Sequence, residues 1–127
     1  MKLSTIRIGA IGESLVIANM LKKNMDVYRP CVDDKTIDLL VLINKKPITI
    51  QVKNHGYMPT KSSIEVRIRN TNADVIAVPW KDKVFYFINK KKKSNWSMHI
   101  AVNKPKNNQK QKVRFAKDFE EFPYDNI

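Results

Sequence analysis

Thr36-Ile37-Asp38-Leu39-Leu40-Val41-Leu42-Ile43, then Asn44-Lys45-Lys46-Pro47, then Ile48-Thr49-Ile50-Gln51-Val52-Lys53: the fold of this chain is decided in these eighteen positions. The first segment is an almost unbroken apolar run of strand length, the pattern of a central strand covered on both faces. After the turn, Ile48, Ile50 and Val52 alternate with Thr49, Gln51 and Lys53, which predicts a second strand with one polar face. Pairing the two across the Asn44–Pro47 turn sets Asp38 opposite Lys53 and Leu40 opposite Gln51. Asp38, Gln51 and Lys53 then share one face, with direct and diagonal neighbours about 5–8 Å apart.

A carboxylate inside an apolar strand is unfavourable unless something pairs with it, so Asp38 is the most informative residue. Asp38 offers a hard carboxylate and Gln51 an amide oxygen, both suited to Mg2+ or Mn2+. Lys53 beside such an ion would orient an attacking water or stabilise charge developing on a phosphate. The plainer alternative is an Asp38–Lys53 ion pair that only holds the sheet together, with Gln51 incidental.

Upstream, residues 4–23 read as a helix capped by Ser4 or Thr5, with Ile8, Ile11, Leu15, Ala18 and Leu21 at helical spacing. Val16, Ile17 and Met20 make a second apolar flank, so this helix is expected to lie against a sheet. Glu13 sits on that flank, where a carboxylate wants a cation. Gly9 and Gly12 weaken the first turns and are expected to admit a close backbone neighbour. Met25 to Arg29 reads as a short strand stopped by Pro30.

Downstream, residues 54–63 form a loop. Ile64, Val66 and Ile68 alternate with Glu65, Arg67 and Arg69, a strand with arginines on its open face, suited to a DNA backbone or a guanine edge. Asp74 to Trp80 and Lys83 to Asn89 are two further strands, and their aromatic residues Trp80, Phe85, Tyr86 and Phe87 read as core rather than as stacking platforms. The expected architecture is α/β: an N-terminal helix packed on a mixed β-sheet. Residues 1–102 form one domain, and residues 103–127 form a basic C-terminal extension with a short helix over residues 113–122.

The 127 residues carry 24 Lys and Arg against 12 Asp and Glu, a net charge of +12, which suits a polyanionic partner. Between Asp82 and Asp118 there is no acidic residue and there are eleven basic ones. Lys90, Lys91, Lys92 and Lys93 in that stretch, together with Lys61, are read as phosphate contacts or as solvated surface. No basic amphipathic helix and no apolar run of eighteen residues stands out, which argues against a membrane partner, and no signal peptide is read at the N-terminus. Cys31 is the single cysteine, read as a half-buried thiol, and points to a reducing, cytoplasmic setting. Asp33 and Asp34 read as a solvated turn, His55 as a loop histidine.

Taken together, Gly12-Glu13-Ser14-Leu15, Ile37-Asp38-Leu39-Leu40 and Ile50-Gln51-Val52-Lys53 resemble the PD-(D/E)XK nuclease superfamily over about residues 6–90. The chain is most similar to small nucleases related to group I intron homing endonucleases, and next to archaeal Holliday-junction resolvases. The resemblance implies a restriction-endonuclease-like core that cuts DNA with a divalent metal, either at a site or at a branched structure. It makes Asp38 the central metal-binding aspartate, Gln51 the second metal position, Lys53 the catalytic lysine and Glu13 the first-helix glutamate. Ile37 stands where the motif has proline, and Gln51 removes one negative charge, so a non-cleaving nucleic-acid-binding descendant stays open, as does a nuclease acting on RNA. A domain this small is expected to work as a homodimer or tetramer, since cutting two strands needs two sites.

Overall fold

In the computed structural model, the described residues are 2–32, 36–54, 63–92, 94–102 and 115–126. Asp33, Asp34, His55, Lys61, Lys93 and residues 103–114 lie outside them. Helix α1 runs Thr5–Lys22 and is followed by β1 Asp26–Tyr28, β2 Leu39–Ile43, β3 Lys46–Val52 and β4 Ser63–Ile68. Then come β5 Val75–Trp80, β6 Lys83–Ile88 and β7 Trp96–Ala101, and two short 3-10 turns at Ala116–Phe119 and Tyr124–Asn126.

Ser4 caps α1, its hydroxyl accepting from the Arg7 N–H at 3.3 Å. The helix ends where Asn24 takes a left-handed conformation, φ 63°. Gly12, Val16 and Met20 form its buried stripe. The stripe first picked out by spacing faces solvent instead: Ile11, Leu15 and Leu21 are all exposed. Both stripes have the same period; only the second, with Met20, meets the sheet.

Five strands form the main sheet in the order β1-β2-β3-β5-β6, antiparallel except for the parallel pair β3–β5. The middle strand is therefore β3, and the strand buried along its whole length is β5, not the 36–43 segment. In β2, Leu42 is exposed at the outer end. Strands β4 and β7 make a separate antiparallel ribbon. Strand β7 was not anticipated, because Trp96-Ser97-Met98-His99-Ile100-Ala101 lies within a basic, polar stretch that masks its alternation.

The β2–β3 register also differs from expectation. The connection is a two-residue turn, Asn44-Lys45, both left-handed with φ of 52° and 67°, the geometry that continues the twist of a hairpin. Lys46 and Pro47 thus belong to β3, and Leu40 pairs with Thr49 rather than with Gln51. Pro47 misled the reading as a turn residue. It is tolerated because β3 pairs with β5 only from Ile50 onward, so the missing N–H is not needed on that side.

The main sheet is covered on both faces. One core joins Val16 and Met20 of α1 to Leu39, Val41, Ile48, Ile50, Val75 and Tyr86. The other joins Ile76, Val78, Phe85 and Phe87 to Ile64, Val66, Ile68 and Ile100 of the ribbon. Trp80, Phe85, Tyr86 and Phe87 are all buried, as their strand positions implied. From the C-terminal segment, Phe119 stacks on Phe87 with ring centroids 4.6 Å apart, and Phe122 meets Tyr86 edge-on at 5.2 Å. In place of a helix over residues 113–122, the described residues of this segment, from Phe115 on, hold 3-10 turns. Cys31 is exposed rather than half-buried. No helix among the described residues is long and apolar enough to cross a membrane.

Candidate active site

Asp38 stands one residue before β2, where the ladder with β3 changes character. Its N–H donates to the Ile50 carbonyl at 2.9 Å. Its Oδ2 accepts from the Val52 N–H at 2.8 Å, taking the place of a ladder carbonyl. Asp38 is thus bonded to the residues on both sides of Gln51, and the charge-assisted bond to Val52 fixes the carboxylate's direction. This replaces the expected juxtaposition with Lys53: the neighbour of Asp38 along β3 is Gln51.

Gln51 is 8% exposed. Its Oε1 is buried and has no hydrogen-bond partner among the described residues. Buried amide oxygens are nearly always satisfied, so an orphaned one calls for a partner such as a water or an ion. Its partner on β5 is Ile76, a member of the ribbon-side core against which Ile37 also packs. Lys53 is half-buried just past β3, its N–H donating to the Ala77 carbonyl at 2.9 Å. By strand alternation Gln51 and Lys53 point away from the face that carries α1.

Glu13, half-buried, is on the α1 side. What draws it to the site is its neighbour. A Cβ added to Gly12 would lie 2.8 Å from Asn54 Cβ, so the glycine lets the helix touch the residue that follows Lys53. Asn54 Nδ2 then donates to the Ile8 carbonyl at 2.7 Å, pinning the helix's first turns to the end of β3. Gly9, expected to share this role, has nothing within 4 Å. Asp38 and Gln51 thus lie together beside the C-terminal end of β3, and α1, which carries Glu13, touches that end through Gly12 and Asn54.

The donor set is two carboxylates and an amide oxygen. Among the described residues no three His, Cys, Asp or Glu side chains cluster as metal ligands. Hard oxygen donors with one orphaned atom suit a small divalent cation.

The residues read as DNA contacts are dispersed. Arg67 and Arg69 are exposed on the outer side of β4. The Arg67 Nε donates to Glu65 Oε1 at 2.5 Å, and that bond and charge raise the guanidinium's pKa. Lys90 and Lys91 are exposed after β6, whereas Lys92 is ion-paired with Asp74. A cavity of about 700 Å³ lined by Tyr86, Phe119, Phe122 and Lys90 lies between β6 and the C-terminal segment. None of Asp38, Gln51, Lys53 and Glu13 lines it.

Sequence reasoning missed Asp74. Its Oδ2 accepts from the Thr49 N–H at 3.0 Å and the Thr49 hydroxyl at 3.1 Å, locking the start of β5 to the strand that carries Gln51. Burial pushes the Asp74 carboxyl up, but Lys92 and the Thr49 donors outweigh it and hold it below its usual value. A lone acid at the start of an all-apolar strand was the available signal. Asn89 is a similar brace: its Nδ2 donates to the Thr71 and Ala73 carbonyls at 3.0 and 2.9 Å, and its Oδ1 accepts from Trp96 Nε1 at 2.8 Å.

Comparison with known proteins bears on the family and the fold. The family described as PD-(D/E)XK endonuclease matches residues 3–122. Among solved structures, a bacterial homing endonuclease superposes with a TM-score of 0.71 at 17% identity, covering 94% of this chain and 88% of the other. At that identity the likeness is one of fold, a restriction-endonuclease-like α/β core. No curated protein matches the sequence.

Proposed function

The chain belongs to the PD-(D/E)XK endonuclease family, and from that premise we propose that it hydrolyses DNA phosphodiester bonds using Mg2+ or Mn2+ held by Asp38, Gln51 and Glu13. The observation that carries this reading is the orphaned, buried Oε1 of Gln51, bracketed by the two hydrogen bonds of Asp38. A bound divalent ion supplies an acidified water and neutralises charge on the scissile phosphate. Asp38 supplies the main negative charge and is kept in orientation by the Val52 N–H. Gln51 supplies a neutral oxygen that is already desolvated. Lys53 supplies a cation whose reach covers a phosphate oxygen or the attacking water, the electrostatic role such sites need. Glu13, at the same end of β3, completes the oxygen set or holds Lys53 in place.

The structural likeness to a homing endonuclease favours site-specific cutting over junction cutting. Two-strand cleavage at such a site calls for a homodimer or tetramer in the cytoplasm, with Arg67, Arg69 and the exposed lysines contacting DNA. A second reading, a binder that no longer cuts, is favoured by one observation: an amide stands where a second carboxylate would hold metal more tightly.

Supercoiled plasmid and a four-way junction, each incubated with pure protein in Mg2+, Mn2+ or EDTA, separate these readings. Cleavage that requires metal is expected. Tight binding without cleavage in any metal would select the binder, and cleavage of the junction alone would select structure specificity.

A further inference from the structure

The outer face of the β4–β7 ribbon has an unusual composition for solvated surface. Pairing sets Glu65 against His99 and Arg67 against Ser97, and Arg69 and Asn95 follow directly beyond the last pair, Ile68–Trp96, bordering one concavity. All of these are exposed or half-exposed. The strands carry no lysine, although the chain has 24 Lys and Arg. The face instead offers guanidinium, amide, hydroxyl, imidazole and carboxylate groups, a mixture of directional donors and acceptors.

The inner face explains how these groups are held. Ile64, Val66, Ile68 and Ile100 are buried against β5 and β6, and Trp96 is tied to Asn89. The ribbon is thus packed along its inner face onto the main sheet. Arg67 is further constrained, because its Nε donates to Glu65 on the same strand face. Beside it, Arg69, Asn95, Trp96 and Ser97 border a shallow concavity of about 300 Å³.

A two-stranded ribbon fits the major groove of duplex DNA, which is about 12 Å wide and presents a distinct donor and acceptor pattern for each base pair. Six residues of β4 extend about 20 Å, which spans about five or six base pairs at about 3.4 Å per step. We infer that the outer face of the β4–β7 ribbon enters the major groove and reads base edges, with Arg67 and Arg69 on guanine and Asn95, Ser97 and His99 on neighbouring bases. The net charge of +12 supplies the long-range attraction. Ile37 joins the ribbon core immediately before Asp38, so the reading element and the candidate metal site are braced by the same packing. This assignment rests on the reading that the substrate is duplex DNA, not on catalysis itself.

The test uses full-length protein and a randomised duplex pool in EDTA, so that binding is measured apart from cutting. Bound DNA from wild type and from Arg67→Lys, Asn95→Ala and Ser97→Ala is sequenced, and thermal unfolding verifies that each variant is folded. Wild type is expected to enrich a defined sequence. Each variant is expected to lose selectivity at only one to three adjacent positions, by about ten-fold for Arg67→Lys, because lysine keeps the charge and loses the fork. A wild-type pool without enrichment, or variant pools identical to wild type, overturns the assignment. So does preferential binding of single-stranded RNA in competition. Plasmid cleavage by wild type in Mn2+ is scored separately. Cleavage with unaltered preferences would remove the ribbon and keep the nuclease, and altered preferences without cleavage would do the reverse.

Discussion

At the scale of single residues, the site depends on how one carboxylate is held. Asp38 uses its own N–H and one carboxylate oxygen to grip β3 at Ile50 and Val52. Alanine at that position would remove the proposed metal ligand and also leave the Val52 N–H without its acceptor, so asparagine is the cleaner probe. For Gln51→Glu, a second carboxylate faces the ion, and the metal concentration for half-maximal cleavage is expected to fall by about ten-fold or more, each 1.4 kcal/mol being one decade. Overlaying metal titrations of the two proteins would show that Gln51 does not touch the ion. Asp74 makes a separate forecast about pH. Its folded pKa lies below the ordinary 3.8, so its contribution to stability is complete above that value and is lost as pH falls through the folded one. Asp74→Asn is therefore expected to be less stable than wild type at pH 6, with the gap closing below about pH 4. Urea midpoints across that range measure it, and a gap that is constant with pH contradicts it. Asp38 was conspicuous in the sequence because it interrupts an apolar run. Asp74 offered only its place before an apolar strand, because its partners are distant in the chain: the parallel β3–β5 pairing brings Thr49 to it and the β5–β6 pairing brings Lys92.

At the scale of elements, the contact between α1 and the end of β3 decides whether Glu13 belongs to the site. The two glycines of α1 separate this contact from ordinary helix propensity. Gly9→Ala has open space around it, so it should stabilise the protein by about 0.5–1 kcal/mol through propensity alone. Gly12→Ala would put a methyl 2.8 Å from Asn54 Cβ. The helix must then back away from the residue after Lys53, with lower stability and lower cleavage together. Equal behaviour of the two variants in thermal unfolding would show that the close approach is unimportant. The alternations that define β3 and β4 were legible, because burial on one face imprints a period of two, whereas β5 and β6 were legible as apolar runs buried on both faces. The hairpin register was not, since it turns on whether Asn44-Lys45 or the longer Asn44–Pro47 segment makes the bend, and proline fits both. Which stripe of α1 meets the sheet was equally undetermined, because Ile11, Leu15 and Leu21 are as apolar as Val16 and Met20.

At the scale of the whole molecule, one sheet has a helix on one face and a ribbon on the other, and the candidate site lies where β3 leaves this sandwich. The C-terminal segment belongs to the packing: Phe122 is 3% exposed in the helix-side core. Phe122→Ala is accordingly expected to cost about 3–5 kcal/mol, measured by chemical denaturation. A loss under 1 kcal/mol would mean that this segment merely rests on the body. The charge excess was plain in the sequence, but its distribution over the surface was not, since Lys92 is committed to Asp74 while Lys90 and Lys91 stay open. The most direct test of the central claim is the rate of plasmid cleavage in Mn2+ by Asp38→Asn, alongside its thermal unfolding. The asparagine oxygen can still accept from the Val52 N–H, so the fold should hold while cleavage falls by at least about a hundred-fold, the scale on which one electrostatic group at a reacting centre matters. An Asp38→Asn protein that is folded and cuts at the wild-type rate would contradict a metal-dependent nuclease centred on Asp38.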